Sequence, residues 1–170
     1  FGLPVEDIAV PGRAESVTGA IASCFPAETW VLMADGAART IAEVRVGDHV
    51  MAWNPASKSI ESCAVVSARK PGGSSRRFCI INGVRVTALH RFAVEGRDER
   101  WVRAAEVRTG DVLTGLHGPV VAEVAETETP AEIPVFNLNV LYAHNFFVSP
   151  DRETWVLVHE ENHCAGWSHR

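Results

Sequence analysis

From Thr29 onward, short apolar runs alternate with Gly, Pro, Asn and Asp, a pattern that reads as strands and turns. Trp30-Val31-Leu32-Met33 is closed by Asp35-Gly36, and His49 to Trp53 alternates until Asn54-Pro55. Ser62 to Lys70 is a further strand candidate, stopped by Pro71-Gly72-Gly73. Phe78-Cys79-Ile80-Ile81 and Val84-Arg85-Val86-Thr87 flank Asn82-Gly83, which predicts a hairpin, because Asn-Gly supplies the positive φ angles of a tight two-residue turn. Val120 to Val124 and Val135 to Val140 complete the candidates. So many short strands predict an all-β fold. Residues 1–23 differ: Gly2, Pro4, Pro11 and Gly12 punctuate them, and Glu15 to Ser23 can form a short helix. They are expected to be an upstream flanking segment, the end of something that precedes the domain.

An internal echo refines this picture. Residues 42–50 read Ala-Glu-Val-Arg-Val-Gly-Asp-His-Val, and residues 105–113 read Ala-Glu-Val-Arg-Thr-Gly-Asp-Val-Leu. Six of nine positions are identical. Two copies of one β-turn-β element predict a duplicated half-domain with pseudo-twofold symmetry, and Asp48 and Asp111 are expected to form its turns.

Composition narrows the class. The chain has 170 residues, 46% of them hydrophobic, enough for one domain with a real core. The net charge of −5 is spread over both signs without a basic run, which argues against nucleic acid as a partner. No apolar stretch approaches the ~20 residues of a membrane-spanning helix, so no membrane is expected as a partner. The four cysteines, Cys24, Cys63, Cys79 and Cys164, are irregularly spaced and do not suggest a disulfide framework. Cys63 and Cys79 sit in β-like runs and read as core residues. A monomer is expected.

Cys24 is different. It precedes a strand-rich region that contains Thr87-Ala88-Leu89-His90 and, later, His144-Asn145-Phe146-Phe147 and Val158-His159. A thiol, a Thr-x-x-His pair and two later histidines are the parts needed to cut the chain's own backbone. The Cys24 sulfur would attack the carbonyl carbon of Ser23, and the scissile bond would be Ser23–Cys24. An imidazole near the amide nitrogen can protonate the leaving amine, and hydroxyl or backbone donors can hold the oxyanion. Thr87 and His90 suit those roles.

These residues resemble the Hint superfamily: inteins, bacterial intein-like domains and the autoprocessing part of hedgehog proteins. The likeness spans about residues 24–160. Cys24-Phe25-Pro26-Ala27-Glu28-Thr29-Trp30-Val31, with Asp35-Gly36, Ile41, Val44, Gly47-Asp48 and Val50, is similar to the family's first block, and Thr87 with His90 to its second. Val135 to Val140 and His144 to Val148 are similar to a late block, and Val156 to His159 to the closing strand with its penultimate histidine. The resemblance implies a Hint fold, a duplicated β horseshoe. It implies a single-turnover, cysteine-dependent self-cleaving domain, with Cys24 as nucleophile of an N-to-S acyl shift and Thr87 and His90 activating the amide. His144 and His159 would assist later steps. Asn137 stands where the family commonly has Asp, which places the coupling of the two cleavages in doubt. The substrate would be the domain's own flanking polypeptide. The acceptor would be water or a small thiol or amine, and no cofactor is required. A bacterial host protein, secreted or at the surface, fits, and there the domain could instead be a silent maturation spacer next to a toxin-like region.

The end of the domain departs from the family. His159 is followed by Glu160 and Glu161, where splicing members place Asn and then Cys, Ser or Thr. A glutamate has no amide nitrogen with which to cyclise, and Glu161 has no hydroxyl or thiol to accept an acyl group. Splicing is therefore expected to be impaired and upstream cleavage retained. Residues 161–170 read as a downstream tail. A competing signal runs through them. His159-Glu160-Glu161-Asn162-His163-Cys164-Ala165-Gly166-Trp167-Ser168-His169 matches the zinc string H-E-x-x-H-x-x-G-x-x-H, with His159, His163 and His169 as ligands. That reading needs a helix, which Ser149-Pro150-Asp151 could start. Zinc is the one metal the tail suggests.

Overall fold

The computed structural model describes residues 24–68 and 73–160. The short helix expected at Glu15 to Ser23 lies outside them. Among the described residues the chain forms fifteen strands and two single 3₁₀ turns, with no α-helix. The strands are β1 (Phe25–Pro26), β2 (Trp30–Leu32), β3 (Ala38–Thr40), β4 (His49–Asn54), β5 (Ser59–Ala68), β6 (Gly73–Ile81), β7 (Val84–Val86) and β8 (Arg91–Ala93). Then follow β9 (Trp101–Arg103), β10 (Val112–Gly115), β11 (Gly118–Val121), β12 (Val124–Phe136), β13 (Leu138–Val140), β14 (Asn145–Ser149) and β15 (Val156–His159). The fold is all-β, as the patterning predicted.

The hairpin at Asn82-Gly83 forms as expected: φ is 51° at Asn82 and 87° at Gly83, and Ile81 pairs with Val84. Two sequence boundaries are corrected. The run Val120 to Val124 is broken at Ala122 and Glu123, between β11 and β12. Ala122 donates its N–H to the Asp111 carbonyl at 2.7 Å and accepts that of Gly110, its last bonds to the first sheet before the chain enters β12 of the second. The run Val135 to Val140 breaks at Asn137, whose Oδ1 accepts the N–H of Leu138 at 2.8 Å while the chain passes from one sheet to another. Nor does a helix start at Ser149-Pro150-Asp151. The Ser149 hydroxyl accepts the N–H groups of Asp151 and Arg152, and the Asp151 carboxylate accepts those of Glu153 and Thr154. Arg152 takes the left-handed φ of 66°, which no helix continues through.

The central sheet runs β9-β8-β15-β14-β2-β3, with β10 pairing both β15 and β11. A second sheet runs β1-β12-β6-β7, and a third β13-β5-β4. Strand β14 is buried along its whole length. Alternation splits it between two cores: Phe146 and Val148 join the main cluster around Phe25, Ile81 and Phe92, while Phe147 joins Leu32, Trp155 and Leu157. Truncating a side chain as buried as Phe146 to Ala would cost about 3–5 kcal/mol.

The sequence echo is a structural duplication. Ile41–Glu43 and Ala104–Glu106 are matching 3₁₀ turns. Each is followed by a glycine at positive φ, 96° at Gly47 and 100° at Gly110, whose N–H groups reach Val65 and Ala122 at 2.9 Å each. Each turn is closed by its aspartate, which accepts the N–H of the residue three back at 2.8 Å: Arg45 for Asp48, Arg108 for Asp111. The backbone match extends upstream. Ile41 bonds the Thr29 carbonyl and Ala104 the His90 carbonyl, both at 2.7 Å. Thr29 N–H bonds Pro26 as His90 N–H bonds Thr87. Thr29 and His90 are therefore equivalent positions. The pseudo-twofold passes between β14 and β15, with β2–β3 on one side and β8–β9 on the other.

Candidate functional site

Strand β1 has only two residues, paired with β12, and Thr87 anchors Cys24, the residue before it. The Thr87 hydroxyl accepts the backbone N–H of Cys24 at 2.7 Å. That N–H belongs to the Ser23–Cys24 peptide bond. The Cys24 carbonyl in turn accepts the Thr87 N–H at 3.0 Å and lies 3.2 Å from its hydroxyl. Cys24 is buried and packs on Phe78 and Val135. Cys63 and Cys79, by contrast, are structural thiols. Burial pushes both pKa values up, helped by the negative charges of Glu61 and Glu126 respectively. That is the opposite of what an activated nucleophile needs.

His90 is fully buried three residues after Thr87. Its ring lies 4.4 Å from the Phe25 ring, next to Cys24 in the chain, and meets Phe146 edge-on at 6.4 Å. Asn137 is one residue beyond the Phe136–Phe25 pair of β12 and β1, in line with Cys24. Cys24, Thr87, His90 and Asn137 are thus gathered around the first junction.

His144 and His159 form a second group, with rings 6.4 Å apart. His159 is on β15, paired with Arg91 on one side and Asn145 on the other, and its ring lies 4.7 Å from Trp101. His144 adopts φ 56° at the tip before β14. The two groups share β8: its first residue pairs with His159, and Thr87 to His90 lead directly into it.

The residue missed in the sequence is Glu160. Its side chain has no exposed surface. One carboxylate oxygen, Oε1, accepts the Asn139 side-chain amide at 2.9 Å and lies 3.0 Å from His144 Nδ1, while Oε2 accepts the backbone N–H of Val140. Glu160 N–H bonds the His144 carbonyl at 2.9 Å. Burial raises the Glu160 pKa, against the lowering effect of those hydrogen bonds. The signal was available. Val156 and Val158 face inward on β15, and a period of two puts Glu160 on the same face.

For the zinc string, His159 is on a strand and Glu160 is engaged by His144, Asn139 and Val140, while His163 and His169 lie outside the described residues. Among the described residues no group of three or more potential ligands could hold a metal ion. His49 and His117 are exposed, in keeping with surface histidines.

The fold, with the Cys24 and His159 segments brought to the two ends of the stretch Thr87 to Arg91, defines a Hint-type self-processing domain, the class that contains inteins. A model of the pretoxin HINT domain matches residues 30–161, and the chain belongs to that family. A bacterial intein-like domain from Clostridium thermocellum is similar at TM-score 0.70 and 26% identity, over 81% of this chain and 98% of that one. The DnaB intein of Synechocystis sp. PCC 6803 shares the fold at TM-score 0.61 and 19% identity, over 82% and 99% of the two chains. The TvoVMA intein does so at TM-score 0.66 and 19% identity, again over 82% and 99%. No curated protein sequence matches. Family and fold support an autoprocessing type of function, in which the domain's own flanking polypeptide is the substrate.

Proposed function

We propose that the domain cuts its backbone at Ser23–Cys24 by an N-to-S acyl shift. The observation that carries this reading is the 2.7 Å hydrogen bond from the Cys24 N–H to the Thr87 hydroxyl, because it fixes the nitrogen that must leave. The Cys24 thiol adds to the Ser23 carbonyl, the C–N bond breaks, and the nitrogen takes a proton to become an amine. Thr87 holds that nitrogen, and its two contacts to the Cys24 carbonyl fix the peptide on the other side. His90, buried beside Phe25, is the acid that protonates the leaving amine. Such positioned proton transfer is worth ~10²–10⁴-fold in rate. The thioester then passes its acyl group to water or to a small thiol or amine. Glu160 and Glu161 supply neither an amide nitrogen for cyclisation nor a downstream acceptor, so ligation of the flanks does not follow.

Mass spectrometry of the chain with added thiol tests the reading. Residues 1–23 should be lost from the parent and retained in Cys24→Ala. Equal cutting in the two would dismiss Cys24 as nucleophile. An uncut parent would favour a silent spacer, and ligated flanks would show that splicing persists.

A further inference from the structure

A thioester on Cys24 must pass its acyl group to an incoming acceptor, and the surface around the thiol decides what that acceptor meets. Cys24 belongs to a small apolar cluster with Phe78, Val135 and Ile133 and keeps 6% of its surface exposed. A cation lies on this cluster: the Arg85 guanidinium is over the Phe78 ring, 5.6 Å from its centre. Strand alternation carries it there. Arg85 pairs with Ile80, two residues from Phe78, and stands two residues before Thr87, whose hydroxyl holds the Cys24 N–H. Glu28 pairs with Arg85 from the solvent side, its side chain 60% exposed against 33% for Arg85. The ion pair thus turns its positive end to the cluster and its negative end to water, where screening is strongest. The nearby carboxylates of β12 do not offset it. Glu126 pairs in register with Cys79 and Glu128 with Arg77, so both stand on the face of that sheet away from Phe78.

We propose that Arg85 is a specificity-determining residue that selects the acyl acceptor by charge, favouring anionic thiols over cationic ones. The inference rests on the upstream cut at Ser23–Cys24. The acceptor reacts as its thiolate. Its sulfur bonds to the Ser23 carbonyl carbon, and the bond from that carbon to the Cys24 sulfur breaks. Cys24 leaves as a thiolate and takes up the proton that the acceptor gave to solvent. One thioester is exchanged for another, so nothing is oxidised or reduced. Negative charge stays on sulfur throughout, close to a guanidinium that remains charged at any working pH. A further negative group on the acceptor adds to that attraction, and an ammonium group opposes it. Between charges near a protein surface this is enough to change a rate by roughly 10-fold.

The test follows release of residues 1–23 from the full chain by mass spectrometry with mercaptoethanesulfonate, mercaptoethanol and cysteamine. Thiol is kept at concentrations where release rises in proportion to it, so that acyl transfer is the step measured. Each rate is divided by that of the same thiol on a free model thioester, which removes differences in intrinsic reactivity. The corrected rates should fall in the order given, with roughly 10-fold between first and last at low salt, and the spread should close as salt rises. Arg85→Lys keeps the charge and should keep the order. Arg85→Gln should bring the three rates together, and Glu28→Gln should widen their spread. Equal corrected rates in the parent, or a spread that survives in Arg85→Gln, overturns the inference and leaves the upstream cut standing. A parent that no thiol cuts removes the upstream cut, and the acceptor preference with it. The salt dependence of the parent and the spread in Glu28→Gln keep the test decisive if Arg85→Gln fails to fold.

Discussion

Residues 26–50 and 87–113 follow the same path through turn, bridge and strand, yet only the second copy meets Cys24. At equivalent backbone positions the first copy has Pro26 and Thr29, the second Thr87 and His90. Thr29 and His90 are both buried, and the carbonyl of each accepts the first N–H of the same kind of 3₁₀ turn. The backbone therefore demands neither a hydroxyl at the Thr87 position nor an imidazole at the His90 position, since the first copy folds with Pro26 and Thr29 there. What differs is the neighbour. The second copy receives Cys24 at Thr87, whereas Pro26 in the first copy is itself paired with Val135. Duplication supplied the frame twice, and Thr87 and His90 stand in the copy that holds the incoming strand.

The comparison is broken most severely by giving the second copy the first copy's residue. His90→Thr should slow upstream thioester formation by ~10²-fold or more while cooperative unfolding persists, as read by mass spectrometry and thermal melts. Loss of the cooperative transition would mean that the imidazole serves packing instead. Next in size, Thr87→Val keeps the shape but removes the acceptor of the Cys24 N–H. Cleavage should fall roughly 10-fold and stability by about 1 kcal/mol, the usual net value of a buried hydrogen bond. A variant that loses stability but cuts at the parental rate would separate anchoring from catalysis.

The smallest effect should be shared equally by the copies. Asp48→Asn and Asp111→Asn should each weaken one turn by about 1 kcal/mol and leave the upstream cleavage unchanged. For Asp111 the sign with pH is set: the Arg108 backbone N–H, then the Arg97 guanidinium, hold its carboxyl below the ordinary aspartate range. Its stabilising contribution is therefore present above the unfolded-state pKa of about 3.9 and fades as pH falls through the folded value. The melting difference between parent and Asp111→Asn should shrink below roughly pH 4, and a difference that grew there would contradict the assignment.

Much of this was legible in residue patterns because it is local. The Asn82-Gly83 hairpin, the Asp48 and Asp111 turns and the repeated nine-residue element need only neighbouring residues to form. The all-β fold followed from the many short strands between turns, and the likeness to the Hint superfamily from the blocks around Cys24, Thr87 with His90, Val135 to Val148 and Val156 to His159, supported by the repeated element. The crossings at Ala122 and Asn137 were not legible. There an apolar run continues through the break, and a hydrogen bond decides where one sheet ends. Short strands such as β3 and β9 escaped for another reason. They are three residues long, and their pairing with β2 and β8 comes from the duplicated frame rather than from their own alternation. Glu160 was read only as a residue without an amide nitrogen and as part of the zinc string, and its burial went unread. The partners that make its burial tolerable, Asn139, Val140 and His144, come from a segment about twenty residues earlier.

The last strand of the domain is not at the margin of its sheet. β15 lies between β8 and β14 and also holds β10, so three earlier strands wait for residues 156–159 before they have a common neighbour. On the ribosome, at roughly 5–20 residues per second, the stretch from Cys24 to His159 takes several seconds to make. During that interval Cys24 and Thr87 already exist, but the strand that walls in the His90 segment does not. The central sheet is thus complete only when its end has been translated, and any self-processing that needs the whole fold must wait for residues 156–159.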